Sequence, residues 1–98
     1  MSNVSWTQTA LDDLASIRAY IARDSIYYAD KFVDDAFKAV ARLEIFPKSG
    51  KIVLERSDPD FREIAFGSYR IMYKIIDNDC YITTMIHGKR NYITDQTE

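Results

Sequence analysis

The chain has 98 residues, enough for one domain with one hydrophobic core. It is 47% hydrophobic and 29% charged, and its net charge of −2 argues against a surface that binds polyanions over a wide area. One cysteine and one histidine exclude an intramolecular disulfide and a zinc cluster, and no apolar run approaches the ~20 residues of a membrane span. The first ten residues lack the pattern of a secretory signal. We therefore expect a cytoplasmic protein without metal, cofactor or membrane contact.

The first half of the chain predicts a short strand over residues 3–6 and two amphipathic helices. Thr7 is a plausible N-cap for the first helix, which ends at Asp24-Ser25. The second helix spans roughly residues 26–45 and is ended by Pro47. The apolar stripes that predict the helices are Ala10, Leu14, Ile17 and Ile21 in the first, and Ala29, Phe32, Val33, Ala36, Phe37, Val40 and Leu43 in the second. A short connection between the helices predicts an antiparallel hairpin.

The second half predicts strands. Residues 52–54 are a short strand, and residues 61–66, 69–76 and 80–87 form a meander. Its turns are Gly67-Ser68 and Asp77-Asn78-Asp79. The predicted fold class is α+β, a two-helix hairpin packed on a small, mostly antiparallel sheet in the order β-α-α-β-β-β. We expect residues 1–98 to form a single domain whose polar tail, residues 91–98, is frayed.

Strict alternation over residues 69–75 assigns two faces to the meander. With Gly67-Ser68 as the turn, one face should meet the helices through Arg62, Ile64, Phe66, Tyr69, Ile71, Tyr73 and Ile75. The other face should be open, with Phe61, Glu63, Ala65, Arg70, Met72 and Lys74. A two- or four-residue turn at 77–80 adds Tyr81, Thr83, Met85 and His87 to the open face and puts Cys80, Ile82, Thr84 and Ile86 in the core. A three-residue turn would reverse this assignment.

Arg70 on the open face has two interpretations. Glu63 lies diagonally opposite, so Arg70 could be an ordinary paired surface cation, contributing roughly 0–1 kcal/mol. The apolar side chains around it, Phe61, Met72, Tyr81 and Met85, favour a surface that binds a partner.

Four stretches carry a resemblance to a known family. They are WTQTALDDLASIRAYIARDS, YADKFVDDAFKAVARLEIFPKSGK, FREIAFGSYRIMYKI and IHGKR, in this order and at these spacings. The third contains Arg62-Glu63-Ile64 and Tyr69-Arg70-Ile71-x-Tyr73, and the fourth ends in His87-x-x-Arg90. Together they resemble the RelE/ParE toxins of bacterial type II toxin–antitoxin modules. The resemblance implies a RelE-like fold and a cognate antitoxin, encoded by an adjacent gene, whose C-terminal segment neutralises the toxin along apolar grooves.

The family has two branches with different targets. RelE-like members resemble ribosome-dependent mRNA endonucleases, which carry lysines beside the strand arginine; by the predicted pairing those positions hold Ala65 and Glu63 here. ParE-like members resemble inhibitors of DNA gyrase that have no ribonuclease chemistry, and the two-helix hairpin and acidic net charge favour this branch. A third possibility is an inactive member that only binds antitoxin or acts as a DNA-bound corepressor.

The branch decides the roles of the site residues. In a ribonuclease acting on the ribosome and mRNA, the catalytic candidates are Arg70, His87 and Arg90. In a gyrase inhibitor no catalytic residue is assigned. The candidates for contacts with target or partner are Arg62, Arg70, Met72, Lys74, Tyr81, Met85, His87, Lys89 and Arg90.

Overall fold

The computed structural model describes residues 1–89, in which two helices pack on one face of a five-stranded sheet. The elements are β1 (Val4–Trp6), α1 (Gln8–Ala22), α2 (Ile26–Ala41), a 3-10 turn (Arg42–Glu44), β2 (Lys51–Ile52), β3 (Phe61–Phe66), β4 (Tyr69–Ile76) and β5 (Asp79–His87). The predicted α+β class is confirmed. The structure has four strands after the helices, whereas the predicted order β-α-α-β-β-β has three. Arg90 and the tail predicted to fray lie outside the described residues. Within residues 1–89 no helix is long and apolar enough to cross a membrane.

Side-chain caps fix where the helices begin. The Thr7 hydroxyl accepts a hydrogen bond from the Ala10 amide at 3.2 Å, so the predicted N-cap of α1 is confirmed. Ser25 caps α2 in the same way, accepting from the Tyr28 amide at 3.2 Å. Because only three residues separate the helices, the chain turns straight back and both apolar stripes face the sheet.

The strands lie in the order β1-β5-β4-β3-β2, and only the β1–β5 pair is parallel among them. Gly67 adopts a φ of 56° at the first position of a two-residue turn, a conformation that glycine reaches without steric cost. The predicted register of β3 and β4 is confirmed, since Ala65 pairs with Arg70 and Phe66 with Tyr69. Asp77 and Asn78, with φ of 51° and 69°, form the next two-residue turn.

A bulge in β5 overturns part of the predicted face assignment. The turn between β4 and β5 has two residues, one of the lengths for which we predicted that Cys80 and Ile82 face the helices. Both residues do lie in the core. However, Tyr73 pairs with Ile82 whereas Met72 pairs with Thr84, so one extra residue enters β5 between them. From Met85 onward the side chains change face. Met85 and His87 therefore lie on the helix side and Ile86 on the opposite side, and the prediction for these three residues was wrong.

Contacts from the start of α1 hold this bulge in place. The Thr7 hydroxyl donates to the Ile82 carbonyl oxygen at 2.8 Å. The Asp13 carboxylate accepts from the Met85 amide at 3.0 Å and from the Thr84 hydroxyl at 2.5 Å. These tertiary contacts supply partners for strand groups that regular pairing would leave unsatisfied.

Two apolar clusters lie on opposite sides of the sheet. The main core, between helices and sheet, comprises Ala10, Leu14, Ala36, Val40, Leu43, Ile64, Ile71, Tyr73, Ile75, Cys80, Ile82 and Met85. The smaller cluster comprises Val53, Phe61 and Met72, with Ile86 packed against it. Val53 follows β2, so the segment between β2 and β3 covers part of the face that we expected to be open. Met72 is completely buried as a result.

Candidate functional site

The site is built around Arg70 on β4, where the β3–β4 hairpin and the segment after β2 meet. The fixed register places Glu63, on β3, opposite Met72 and diagonal to Arg70. The segment between β2 and β3 adds Glu55, which follows the buried Val53 by two residues. The three charged side chains are only 9–16% exposed, although they lie on the sheet face that the sequence predicted to be open.

Both carboxylates bind the Arg70 guanidinium directly. Nη1 and Nη2 donate to the two oxygens of Glu55 at 2.8 and 2.9 Å, a bidentate contact. Nε donates to Glu63 Oε2 at 2.5 Å. The hydrogen bond to Glu55, followed by that to Glu63, raises the pKa of Arg70 despite the opposing effect of burial. Arg70 is therefore a charged group inside a network of its own chain, and the predicted Glu63–Arg70 pair is confirmed.

An open cleft of about 610 Å³ lies over this network. Lys51 and Lys89 contribute further cations to its lining, and Lys51 Nζ lies 3.7 Å from Glu63 Oε1. His87 lies at the rim, with its ring centroid 5.7 Å from that of Tyr69, edge to face. Its Nδ1 accepts a hydrogen bond from the Lys89 amide at 3.3 Å. The structure thus brings together three of the predicted site residues, Arg70, His87 and Lys89.

The other predicted contact residues lie elsewhere. Arg62 donates to the backbone oxygens of Pro59, Lys48 and Gly50, so it ties the loop before β2 to the start of β3. Lys74 forms an ion pair with Asp58. Tyr81 is 36% exposed on the outer face of β5. Met72 and Met85 are buried in the two apolar clusters, so neither side chain offers a surface to a partner in this conformation.

A second groove, of about 490 Å³, lies on the helix side of the sheet. Ser16, Ile17 and Tyr20 of α1 form one wall, and Tyr69 and His87 form the other. Tyr20 is 66% exposed, so much of its aromatic surface remains in contact with solvent. His87 lines both this groove and the cleft because the bulge turned it toward the helices.

Residues 4–92 match the family model described as the ParE toxin of type II toxin–antitoxin systems, parDE. The chain belongs to the ParE toxin family. Its fold is similar to a structure of the chromosomal ParDE toxin–antitoxin system from P. aeruginosa, with a TM-score of 0.73 and 20% identity over 89% of this chain and 96% of that one. No curated protein sequence matches the chain.

RelE proteins share the fold of this ParE toxin more distantly. The toxin–antitoxin complex RelBE2 from Mycobacterium tuberculosis gives a TM-score of 0.55 and 24% identity over 88% of this chain and 96% of that one. A mutant E. coli RelE in complex with a peptide of the antitoxin RelBc gives a TM-score of 0.50 and 13% identity over 99% of this chain and 94% of that one. The predicted RelE/ParE membership, with ParE favoured, is therefore confirmed.

The sequence alone missed the most important partner of Arg70 in this ParE toxin. Glu55 lies in a segment with no periodic pattern, so nothing local indicated that it reaches the sheet. The only available signal was the apolar Ile52-Val53-Leu54 run, which predicted a strand and thus placed residue 55 near the sheet edge. In the structure β2 ends at Ile52, and the chain then turns over the sheet face.

Proposed function

We propose that this ParE toxin inhibits growth by acting on DNA gyrase, without ribonuclease activity, and that a cognate antitoxin encoded by an adjacent gene neutralises it. The observation that supports this most strongly is the state of Arg70. Its guanidinium binds two carboxylates of its own chain, at 2.5–2.9 Å. A guanidinium held in this way is poorly placed to stabilise the phosphorane of RNA cleavage.

The rest of the cleft supports the same proposal. Attack of a ribose 2′-OH on a phosphate needs a base, an acid and cations close to the developing charge. The strand beside Arg70 offers a methyl group at Ala65 and a carboxylate at Glu63. Negative charge at that position repels a phosphate and opposes the reaction. His87 and Lys89 at the rim are better suited to contacts with a protein surface than to catalysis at this cluster.

The gyrase proposal is tested by adding purified toxin to gyrase and relaxed DNA and measuring supercoiling and cleavage-complex formation. We expect inhibition at near-stoichiometric toxin, with cleaved DNA trapped on the enzyme. Replacing His87 and Lys89 by alanine should weaken inhibition, whereas Lys38→Ala, at an exposed position of α2, should leave it unchanged. Absence of any effect at a large excess of folded toxin would contradict the proposal.

A reconstituted translation reaction tests the ribonuclease alternative. We expect intact mRNA in the presence of toxin. Codon-dependent cleavage that Arg70→Ala and His87→Ala abolish would instead establish a RelE-like enzyme. If the toxin alters neither gyrase nor mRNA and its expression leaves growth unaffected, the chain is an inactive family member.

The groove beside α1 supports the antitoxin part of the proposal. It is lined by an apolar side chain, Ile17, by the exposed ring of Tyr20 and by the half-buried ring of Tyr69, which suits an amphipathic segment of a partner. Co-expression with the neighbouring reading frame should yield a stable complex. Tyr20→Ala should weaken that complex about tenfold, as expected for an aromatic contact residue. Tyr28→Ala is the matched control, because Tyr28 is similarly exposed, at 62%, but does not line the groove. Equal losses from both changes would place the antitoxin elsewhere.

A further inference from the structure

The cleft over Arg70 is lined by charged side chains of both signs. Lys51, Arg70 and Lys89 are three cations within one lining, enough to attract a phosphodiester backbone. Two carboxylates, Glu55 and Glu63, line the same space. Neither carboxylate is an apolar group that burial alone would stabilise, and both bind Arg70 at the floor of the cleft. Their position calls for a reason beyond packing.

We propose that Glu55 is a specificity-determining residue that excludes nucleic acid from this cleft. The inference rests on the proposed function, since it explains how a fold shared with RelE proteins would favour a protein target over RNA. Glu55 satisfies the two terminal nitrogens of Arg70 with parallel hydrogen bonds of 2.8 and 2.9 Å. A phosphate binds a guanidinium through the same two-pronged geometry. Glu55 therefore occupies the position that a backbone phosphate would take.

Glu55 differs from Glu63 in how it reaches Arg70. Glu63 is part of β3, and its side chain is 9% exposed and lies 2.5 Å from both Nε and Nη2 of Arg70. Glu55 comes from the segment after β2, which is anchored by the buried Val53 while the adjacent Leu54 is 86% exposed. A change at residue 55 therefore alters the charge of the cleft without altering the paired strands. Substitution of Glu55 is therefore the direct way to test the proposed exclusion of nucleic acid.

The test measures binding of a short fluorescein-labelled single-stranded RNA by fluorescence anisotropy at low ionic strength. Glu55→Gln keeps the size of the side chain and removes its charge, and we expect it to bind RNA at least about tenfold more tightly than the unchanged toxin. Glu44→Gln is the matched control, because it makes the same change of net charge at an exposed position outside the cleft. Glu55→Asp retains the charge and should bind RNA no better than the unchanged protein.

A second variant keeps the test decisive if Glu55→Gln does not fold. Ala65 is exposed, lines the cleft and pairs with Arg70, so Ala65→Lys adds a cation without removing any contact of Arg70. We expect it to raise RNA affinity by a smaller factor than Glu55→Gln, because Glu55 still holds the two terminal nitrogens of Arg70, whereas Ser57→Lys, in the exposed loop outside the cleft, should not raise it. Circular dichroism and thermal melting establish that each variant is folded.

Two results would overturn the inference. One is RNA binding by folded Glu55→Gln and Ala65→Lys that is no tighter than by their controls. The other is RNA binding by the unchanged toxin that is already as tight as binding by the variants. Neither result depends on gyrase, and failure of the unchanged toxin to inhibit gyrase would refute the proposed target while leaving these comparisons intact.

Discussion

Replacing Arg70 by methionine should destabilise the fold by about 3 kcal/mol at neutral pH. The change leaves the carboxylates of Glu55 and Glu63 close together without their shared cation, at 16% and 9% side-chain exposure. Removing one partner of a fully buried ion pair costs about 3–5 kcal/mol, and the remaining solvent contact favours the lower end of that range. For a domain of this size the loss corresponds to a fall in Tm of roughly 15 °C. A residue that only contacted a target would show no such effect.

Urea unfolding followed by circular dichroism measures this loss. Arg18→Met is the control, because Arg18 forms an exposed ion pair with Asp30, with side-chain exposures of 42% and 61%, and its loss should cost at most about 1 kcal/mol. Neutralising both carboxylates in the Arg70→Met background should restore a large part of the stability. Equal losses from Arg70→Met and Arg18→Met would refute the view that Arg70 is held structurally.

Three further predictions concern the loops and strands around the site. Gly50→Ala should destabilise the fold by about 2 kcal/mol in urea unfolding, because a Cβ atom there would lie 2.6 Å from the Tyr73 hydroxyl; an unchanged midpoint would contradict this packing. Asp13→Ala should cost about 1–2 kcal/mol in the same assay and speed amide exchange at the β5 bulge, because its carboxylate accepts two hydrogen bonds there; exchange equal to the unchanged protein would count against it. The hydrogen bond from Lys74 lowers the pKa of Asp58 from 3.8, so it contributes stability above about pH 4 that is lost as the pH falls through the folded-state pKa. In thermal melts between pH 2 and 7, the Tm of Lys74→Met should therefore fall less steeply with acid than that of the unchanged toxin. Identical slopes for the two proteins would exclude a contribution from the Lys74–Asp58 ion pair.

Local sequence signals predicted most of the secondary structure of this ParE toxin. The helices could be predicted from their apolar stripes and from the cap at Thr7, because both patterns involve residues only a few positions apart along the chain. The β3–β4 register follows from Gly67, because a two-residue turn leaves only one pairing of the flanking strands. The Glu63–Arg70 contact follows from that register. These features depend on residues that are close together along the chain.

The features that could not be predicted depend on distant residues. The β5 bulge is held by Thr7 and Asp13, more than seventy positions earlier, and no local pattern near Thr83 indicates it. It turned Met85 and His87 toward the helices, and thereby changed which predicted site residues share a surface. Likewise, Glu55 reaches Arg70 only because the segment after β2 folds over the sheet around Val53. The alternation of side chains along a strand therefore predicts which face of the sheet each one occupies only up to the next bulge.

The most direct test of the account is to induce this toxin without its antitoxin in a sensitive bacterial strain and to measure DNA synthesis and protein synthesis by pulse labelling at short intervals. The account predicts that DNA synthesis falls first, with broken DNA attached to gyrase, while mRNA stays intact. An early fall in protein synthesis with cleaved mRNA and unimpaired gyrase would contradict it.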